Sequence, residues 1–327
     1  FIGIGATLKI NPGLTAGVIV SGAFCGSNIS PLSGTTNLAA SVGEISIYKH
    51  IKSLLTTDIP AWAICLILYT FLGLNSKNVS LGAVHQMMAG LQSGFWISGW
   101  ALLPVLLLIV LAIFQVPAIP SLGLGSLFAV VLGWIHAPKT SLTTITNTIM
   151  TGYVSHTGDK TIDTLLSKGG ISSMLTSLAL IIFALALGGL LIKFNIISAI
   201  INHLTGIVKT PGRLTFSTAL TCIGVNLLVG EHYLAIILPG QSFLPSFDKL
   251  GLKRVDLTRI LNDAGAAVNA IVPWSVSGVF IASTLQINPL SFIPWAFFPF
   301  LVTILTIIAG MLVKVSVKSP AANLATE

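Results

Sequence analysis

Charge is what this sequence has least of. Lys, Arg, Asp and Glu make up 8% of its 327 residues, against about a quarter in soluble domains, and mean hydropathy is +0.95. That scarcity excludes an ordinary water-soluble domain and predicts an all-α polytopic membrane protein. Acids are rarer than bases, nine against sixteen. The three cysteines, Cys25, Cys65 and Cys222, form no CxxC pair and no zinc spacing, and are expected as small buried thiols. No Ser/His/Asp order, Walker loop or metal-ligand cluster stands out, which argues against an enzyme and against a resident cofactor or metal. His85, His136, His156 and His203 are scattered and take no role. The net charge of +7 comes without an aromatic-interleaved basic surface, so nucleic acid is not an expected partner. A signal-peptide pattern is absent as well. The chain opens on Phe1 in an apolar context, and the expectation is that the N-terminal part of a larger unit precedes it.

What the sequence does have is apolar runs of bilayer length. Ile59 to Leu74, Phe95 to Val116, Leu122 to Ile135, Ile171 to Ile192 and Leu290 to Val313 are the clearest. Phe216 to Val229, Tyr233 to Phe247 and Ala264 to Leu285 are broken by Gly, Pro, Ser, Thr or Asn and read as discontinuous or re-entrant. The total is roughly eight to ten membrane segments. Basic residues cluster between the runs, at Lys49 and Lys52, Lys160 and Lys168, Lys209 and Arg213, and Lys249 to Arg259, with Lys314 and Lys318 near the end. The positive-inside rule places these clusters and the C-terminus in the cytoplasm. Residues 139–170 read as a polar surface connector with a short amphipathic helix. Gly188-Gly189 reads as a close helix contact or a local break, and Pro117, Pro120, Gly123 and Gly125 as a tight turn.

Two uncharged breaks carry the functional reading. The first is Gly26-Ser27-Asn28-Ile29-Ser30-Pro31-Leu32-Ser33-Gly34-Thr35-Thr36-Asn37-Leu38, after the apolar run Leu14 to Phe24. The second runs from Asn262 to Gly278 and contains Asn269, Pro273 and Ser275. Irregular backbone survives at membrane depth only inside protein or along a wet cavity. Hydroxyls, amide oxygens and freed carbonyls are hard oxygen ligands suited to a small cation or polar solute, and paired interrupted segments point to a transporter site. Asn28, Ser33, Thr35, Thr36, Asn37, Asn269 and Ser275 are therefore the candidate binding residues. Thr36 or Asn37 serves equally as a helix N-cap.

Among the acids, Asp58, Asp159, Asp163, Asp248 and Asp256 lie in or beside basic loops and read as solvated. Glu231 and Asp263 are flanked by apolar or small residues, where an ionisable group marks function by default. Glu231, beside His232, is a candidate proton carrier; the alternative is a turn cap in water. Asp263 is a candidate cation ligand; the alternative is an i,i+4 ion pair with Arg259 at a helix start.

The order of these motifs resembles the NhaC-type Na+/H+ antiporter family. The residues that carry it are Ser21 to Gly26 with Ser30 to Leu38, Ser167 to Met174, Gly230 to Leu234 with Leu238-Pro239-Gly240, and Leu261 to Gly265 with Ile271 to Trp274. The resemblance implies an inverted-repeat secondary transporter with re-entrant hairpins and discontinuous helices, often a homodimer, and a family that includes sodium/proton antiporters and a malate/lactate exchanger. It also implies that the N-terminal part is lacking. Ser27 and Gly34 stand where the family commonly has Asp, Glu231 where it has Asp, and Asn262 where it has Glu. The site left is less acidic and oxygen-rich. In this reading residues 1–138 hold the C-terminal part of a first repeat with following helices, 139–170 the connector and 171–327 a second repeat. The function is exchange of Na+ for H+ across the cytoplasmic membrane, with the bilayer and a small ion as partners and Na+ and H+ as coupling ions. The alternatives are a Na+- or H+-coupled transporter of an amino acid or carboxylate, and a transport-incompetent fragment.

Overall fold

In hydrocarbon each backbone N–H and C=O must find its partner within its own segment, so long apolar runs become helices. The computed structural model describes residues 1–8, 10–74, 88, 97–114, 116, 118–158, 163, 166, 167, 169–196, 199 and 210–312, and among these there is no β-sheet. Along the chain come α1 (Ile2–Thr7), α2 (Pro12–Asn28), α3 (Gly34–Val42), α4 (Ile47–Leu74), α5 (Leu103–Ile113), α6 (Ala118–His136), α7 (Leu142–Thr151) and α8 (Ile171–Lys193). Then follow α9 (Pro211–Val229), α10 (His232–Lys249), α11 (Arg254–Ile260), α12 (Val276–Leu285), α13 (Pro289–Phe292) and α14 (Phe297–Met311). Between α11 and α12 the backbone passes through a π-helical turn, Leu261–Ala266, and a 3-10 turn, Ala267–Ile271.

Four helices are long and apolar enough to cross a bilayer: Ile47–Leu74, Ile119–His136, Ile171–Lys193 and Pro211–Val229. Two bent pairs, Arg254–Ile271 with Val276–Leu285 (44°) and Pro289–Trp295 with Phe297–Met311 (51°), raise the number to six among the described residues. The sequence predicts more. One reason is that Tyr233 to Phe247 forms a continuous α10 that runs through Pro239 and Pro245 and is too polar to count. Phe216 to Val229, expected to be broken, is likewise a continuous stretch of α9. Of the three interrupted runs, only Ala264 to Leu285 is discontinuous.

The chain forms two compact units, one of residues 1–11 and 77–176, the other of residues 12–76 and 177–327. In the first, α5 packs on α6, where Gly125 leaves room for the Leu108 side chain. Pro120, Gly123 and Gly125 lie inside α6 rather than in a turn, because a proline in the first helical turn needs no N–H partner. The connector does hold a short helix, α7, whose Ser141 cap accepts from the Thr144 N–H at 3.1 Å. Beyond it Asp163 accepts from the Thr157 N–H and Oγ1 (both 2.7 Å), Ser155 Oγ (2.9 Å) and the Gly158 N–H (3.2 Å). These bonds, the Thr157 backbone N–H first, hold its carboxyl down at about 2. Asp159, Lys160 and Lys168 lie outside the described residues.

The second unit has the core. Leu214, Cys222, Val225, Ile236, Phe243, Phe247, Leu257, Ile260 and Leu261 pack α9, α10, α11 and the π turn together. Gly188 lies inside a continuous α8 and seats Val229 and Leu234, the close-contact reading of the Gly-Gly pair. A second cluster joins α4 to α14 through Ala61, Cys65, Ala267, Phe298 and Val302. Cys65 and Cys222 are buried thiols as expected, while Cys25 is only half-buried. At the crossing of α2, α4 and the bend before α14, the Tyr69 hydroxyl donates to the Trp295 carbonyl (2.6 Å) and lies 2.7 Å from Ser21 Oγ. It also accepts from the Phe297 N–H (3.3 Å), and Ser21 Oγ accepts from the Phe298 N–H (3.3 Å).

Candidate functional site

The second break follows from its own residues. Pro273 lacks an N–H and disfavours helix at the residue before it, and Val272 is extended (φ −95°, ψ 114°). Ser275 restarts the chain as α12 by accepting from the Gly278 N–H at 2.9 Å. The first break runs through Ile29–Ser33, with Pro31 at its centre, and α3 starts after Ser33. Ser33, not Thr36 or Asn37, occupies the N-cap position, and its Oγ bonds Thr35 Oγ1 (3.0 Å) and Ser27 Oγ (3.2 Å) instead of capping the helix. Thr36 Oγ1 reaches back to the carbonyls of Asn28 (3.0 Å) and Ser27 (3.2 Å), satisfying the end of α2. Asn37 is exposed and donates to the Pro31 and Ser33 carbonyls at 2.7 and 2.9 Å.

Asp263, in the π turn, is 0% exposed. Its Oδ2 accepts from Thr57 Oγ1 at 2.9 Å, its Oδ1 from Asn28 Nδ2 at 3.4 Å, and its carbonyl from Thr303 Oγ1 at 2.9 Å. The carboxylate is therefore the meeting point of α4 and the last residue of α2. The ion pair with Arg259, the alternative reading, does not form. Arg259 pairs with Asp256 at 3.0 Å and donates to Ser53 Oγ and Thr306 Oγ1, so its charge acts on Asp263 without a hydrogen bond.

Asp58 corrects the sequence reading most. It was expected in water beside Lys49 and Lys52, and it is 2% exposed. The reason is that α4 begins at Ile47, before both lysines, and carries Asp58 three turns into the fold, about 16 Å along the axis. His50, Ser53, Leu54, Thr57, Asp58, Ala61 and Cys65 form the buried stripe of α4, a spacing of three and four residues that could have been read. Neither Asp58 oxygen has a hydrogen bond of ordinary geometry, although the Asn28 amide lies beside it and its charge is felt at Asp263. Asn262 is fully buried too, with both side-chain polar atoms unpartnered.

A second polar cluster lies where the α9–α10 turn meets the second break. Asn269 Nδ2 donates to Asn226 Oδ1 (2.8 Å) and the Gly230 carbonyl (3.2 Å), and its Oδ1 accepts from the Ser277 N–H (3.0 Å). Asn226 Nδ2 donates to the Gly265 carbonyl at 2.7 Å, and Ser275 Oγ to the Asn269 carbonyl. Gly230 has φ +74° and ends α9, and an added Cβ would stand 3.2 Å from Ser275 Cα. Glu231 is both buried and a cap. Its Oε2 accepts from the Leu234 N–H at 2.8 Å, and its Oε1 lies 3.6 Å from His232 Nδ1. Asn226 was missed by the sequence reading, since a lone Asn in an apolar helix carries no spacing signal. Outside these clusters, Glu44 and Asp248 are exposed and both pair with Arg254, Asp248 at 2.9 Å. Among the described residues no three His, Cys, Asp or Glu side chains gather as metal ligands.

Comparison with known proteins identifies the family. The family model described as the Na+/H+ antiporter family matches residues 13–313. The chain is 37% identical to the Na(+)/H(+) antiporter NhaC of Bacillus subtilis over 96% of its own length and 70% of that protein's. It is 37% identical to the NhaC of Alkalihalophilus pseudofirmus over 95% and 67%. A malate-2H(+)/Na(+)-lactate antiporter of Bacillus subtilis is 34% identical over 94% and 66%. No solved structure matches. The chain belongs to the Na+/H+ antiporter family.

Proposed function

We propose that this chain is a multi-pass secondary transporter of the cytoplasmic membrane that exchanges Na+ for H+. The observation that carries the proposal is Asp263: a fully buried carboxylate in a discontinuous element, bonded by a hydroxyl and an amide and by no cationic side chain. A buried carboxylate with no direct ion pair is costly, and a cation or a proton compensates it. Those two compensations, alternating on one group, are the exchange reaction. Discontinuous segments supply the oxygen ligands, as expected of transporter sites.

The first break, with Asn28, Ser33, Thr35, Thr36 and Asn37, and the second, with Asn269 and Ser275, frame the passage. Glu231 is the second carboxylate on the proton path. Two inverted repeats, one on each side of the 139–170 connector, move about this frame, and the protein works as a homodimer with its C-terminus in the cytoplasm. The relatives named as Na+/H+ antiporters support this reading. A relative named as a malate and lactate exchanger keeps a carboxylate substrate as the second reading, but Arg259, the basic side chain whose charge acts on Asp263, is already paired with Asp256.

Reconstitution of the full-length protein in proteoliposomes tests the proposal. Added Na+ should dissipate an imposed pH gradient, and an imposed Na+ gradient should build one. If only malate or lactate drives flux, the second reading replaces the first. If neither gradient drives flux of any solute or ion, the transporter reading fails and the transport-incompetent fragment is left.

A further inference from the structure

Asp58 is a carboxylate with no structural employment. It lies 2% exposed on the buried stripe of α4, with both oxygens outside hydrogen-bond geometry. Among the described residues no Lys, Arg or His forms an ion pair with it. A buried group with this composition normally finds a partner, because an uncompensated charge in low dielectric costs several kcal/mol. Had α4 needed only shape here, an apolar residue like its neighbours Leu54 and Ala61 would serve.

The surroundings point to what is missing. Thr57, the preceding residue on α4, places Oγ1 2.9 Å from Asp263 Oδ2. The Asn28 amide, at the end of α2, donates to Asp263 Oδ1 and lies beside Asp58. The charges of Asp58 and Asp263 act on one another. Three chain segments, the end of α2, the middle of α4 and the π turn, therefore bring two carboxylates, a hydroxyl and an amide to one buried place. Like charges held this close need something positive between them, and an all-oxygen set suits a hard cation.

We propose that Asp58 is the second carboxylate ligand of the cation bound at Asp263, so that the site is an Asp58–Asp263 pair completed by Thr57 and Asn28. The proposal rests on the ion-exchange reading above and assigns its cation to a small alkali ion, Na+ or Li+. The stripe of α4 and the break of the second half then share one ligand, and binding ties the two together.

The test uses the purified full-length protein, with thermal unfolding followed against added NaCl or LiCl at constant ionic strength and pH, choline chloride making up the balance. Antiport in proteoliposomes is measured on the same preparations. The wild type should be stabilised saturably by Na+. Asp58→Asn should raise the Na+ half-saturation about tenfold or more in both assays, the effect of one lost charged ligand. Asp58→Glu, which keeps the charge but moves it by a methylene, should change the ratio of Li+ to Na+ half-saturation about threefold or more. A role in packing alone would not move that ratio. If Asp58→Asn keeps its Na+ half-saturation within about twofold while the wild type exchanges normally, the proposal is overturned and the ion-exchange reading stands. If Asp58→Asn does not fold, an unchanged Li+/Na+ ratio in Asp58→Glu overturns it. A wild type that neither binds Na+ nor exchanges it overturns both.

Discussion

Two buried polar clusters of the larger unit, built from the same kinds of side chain, are opposite in design. Around Asn269 the two side-chain amides are engaged: Asn226, Ser275, Ser277 and the Gly230 and Gly265 carbonyls close a network of neutral groups, with His232 Nδ1 at its edge left without a hydrogen bond. Around Asp263 the network is open: one amide and one hydroxyl reach its carboxylate, and Asp58, beside the same amide, is left without a bond. A closed network fixes backbone, because each member would lose by moving. An open, charged one leaves carboxylate oxygens unbonded. On the reading proposed above, the first network holds the irregular chain in place and a cation completes the second.

Four experiments would break or sharpen this contrast. The largest effect is expected at Asp263→Asn. It should lower Na+-dependent exchange about 30- to 150-fold, the equivalent of about 2–3 kcal/mol of charge-assisted contact, with a normal elution profile in size-exclusion chromatography. Retained exchange would mean that the open cluster is not the ion site. Next is Asn226→Ala, which takes the Asn226 donor from the Gly265 carbonyl and leaves the Asn269 amide only its longer bond to the Gly230 carbonyl. A loss of about 2–3 kcal/mol is expected, seen as a melting temperature lower by roughly 4–12 °C, while the Na+ half-saturation of the folded protein stays put. A shift in that half-saturation without a loss of stability would reverse the assignments.

Gly230→Ala forces an alanine into the left-handed region and its β-carbon toward Ser275. About 1–2 kcal/mol of destabilisation follows, measurable as a smaller drop in melting temperature. The smallest effect lies outside both clusters, at Asp163. Its carboxyl titrates near 2 in the folded chain against an unperturbed 3.8. The ordering it gives to Thr157 and Gly158 is therefore complete above pH 4 and is lost as pH falls through 2. Amide shifts of those two residues should follow that acid-side titration, and Asp163→Asn should remove it.

Much of this was legible in the residues. The poverty of charge fixes a helical membrane chain, and Asn28, Glu231 and Asp263 stood out because polar groups are rare in their surroundings. Val272-Pro273 marks the second break through the steric rule for residues before proline. Asp58 was hidden by Lys49 and Lys52, which read as loop although α4 accommodates them in its first turns. Prolines misled in the other direction: Pro239 and Pro245 look like breaks, and α10 absorbs both. What no local pattern shows is partnership across 200 residues. That Thr57 and Asn28 meet Asp263 is a property of packing.

The Tyr69 hydroxyl also has a mechanical meaning. With Ser21 it rivets α2 and α4 to the elbow ahead of α14 through a handful of short bonds. Asn28 and Asp58 sit farther along the same two rods, so on the reading proposed above any rocking of this part would carry the two side chains together as a single rigid jaw. Tyr69→Phe would loosen the hinge pin without touching the teeth.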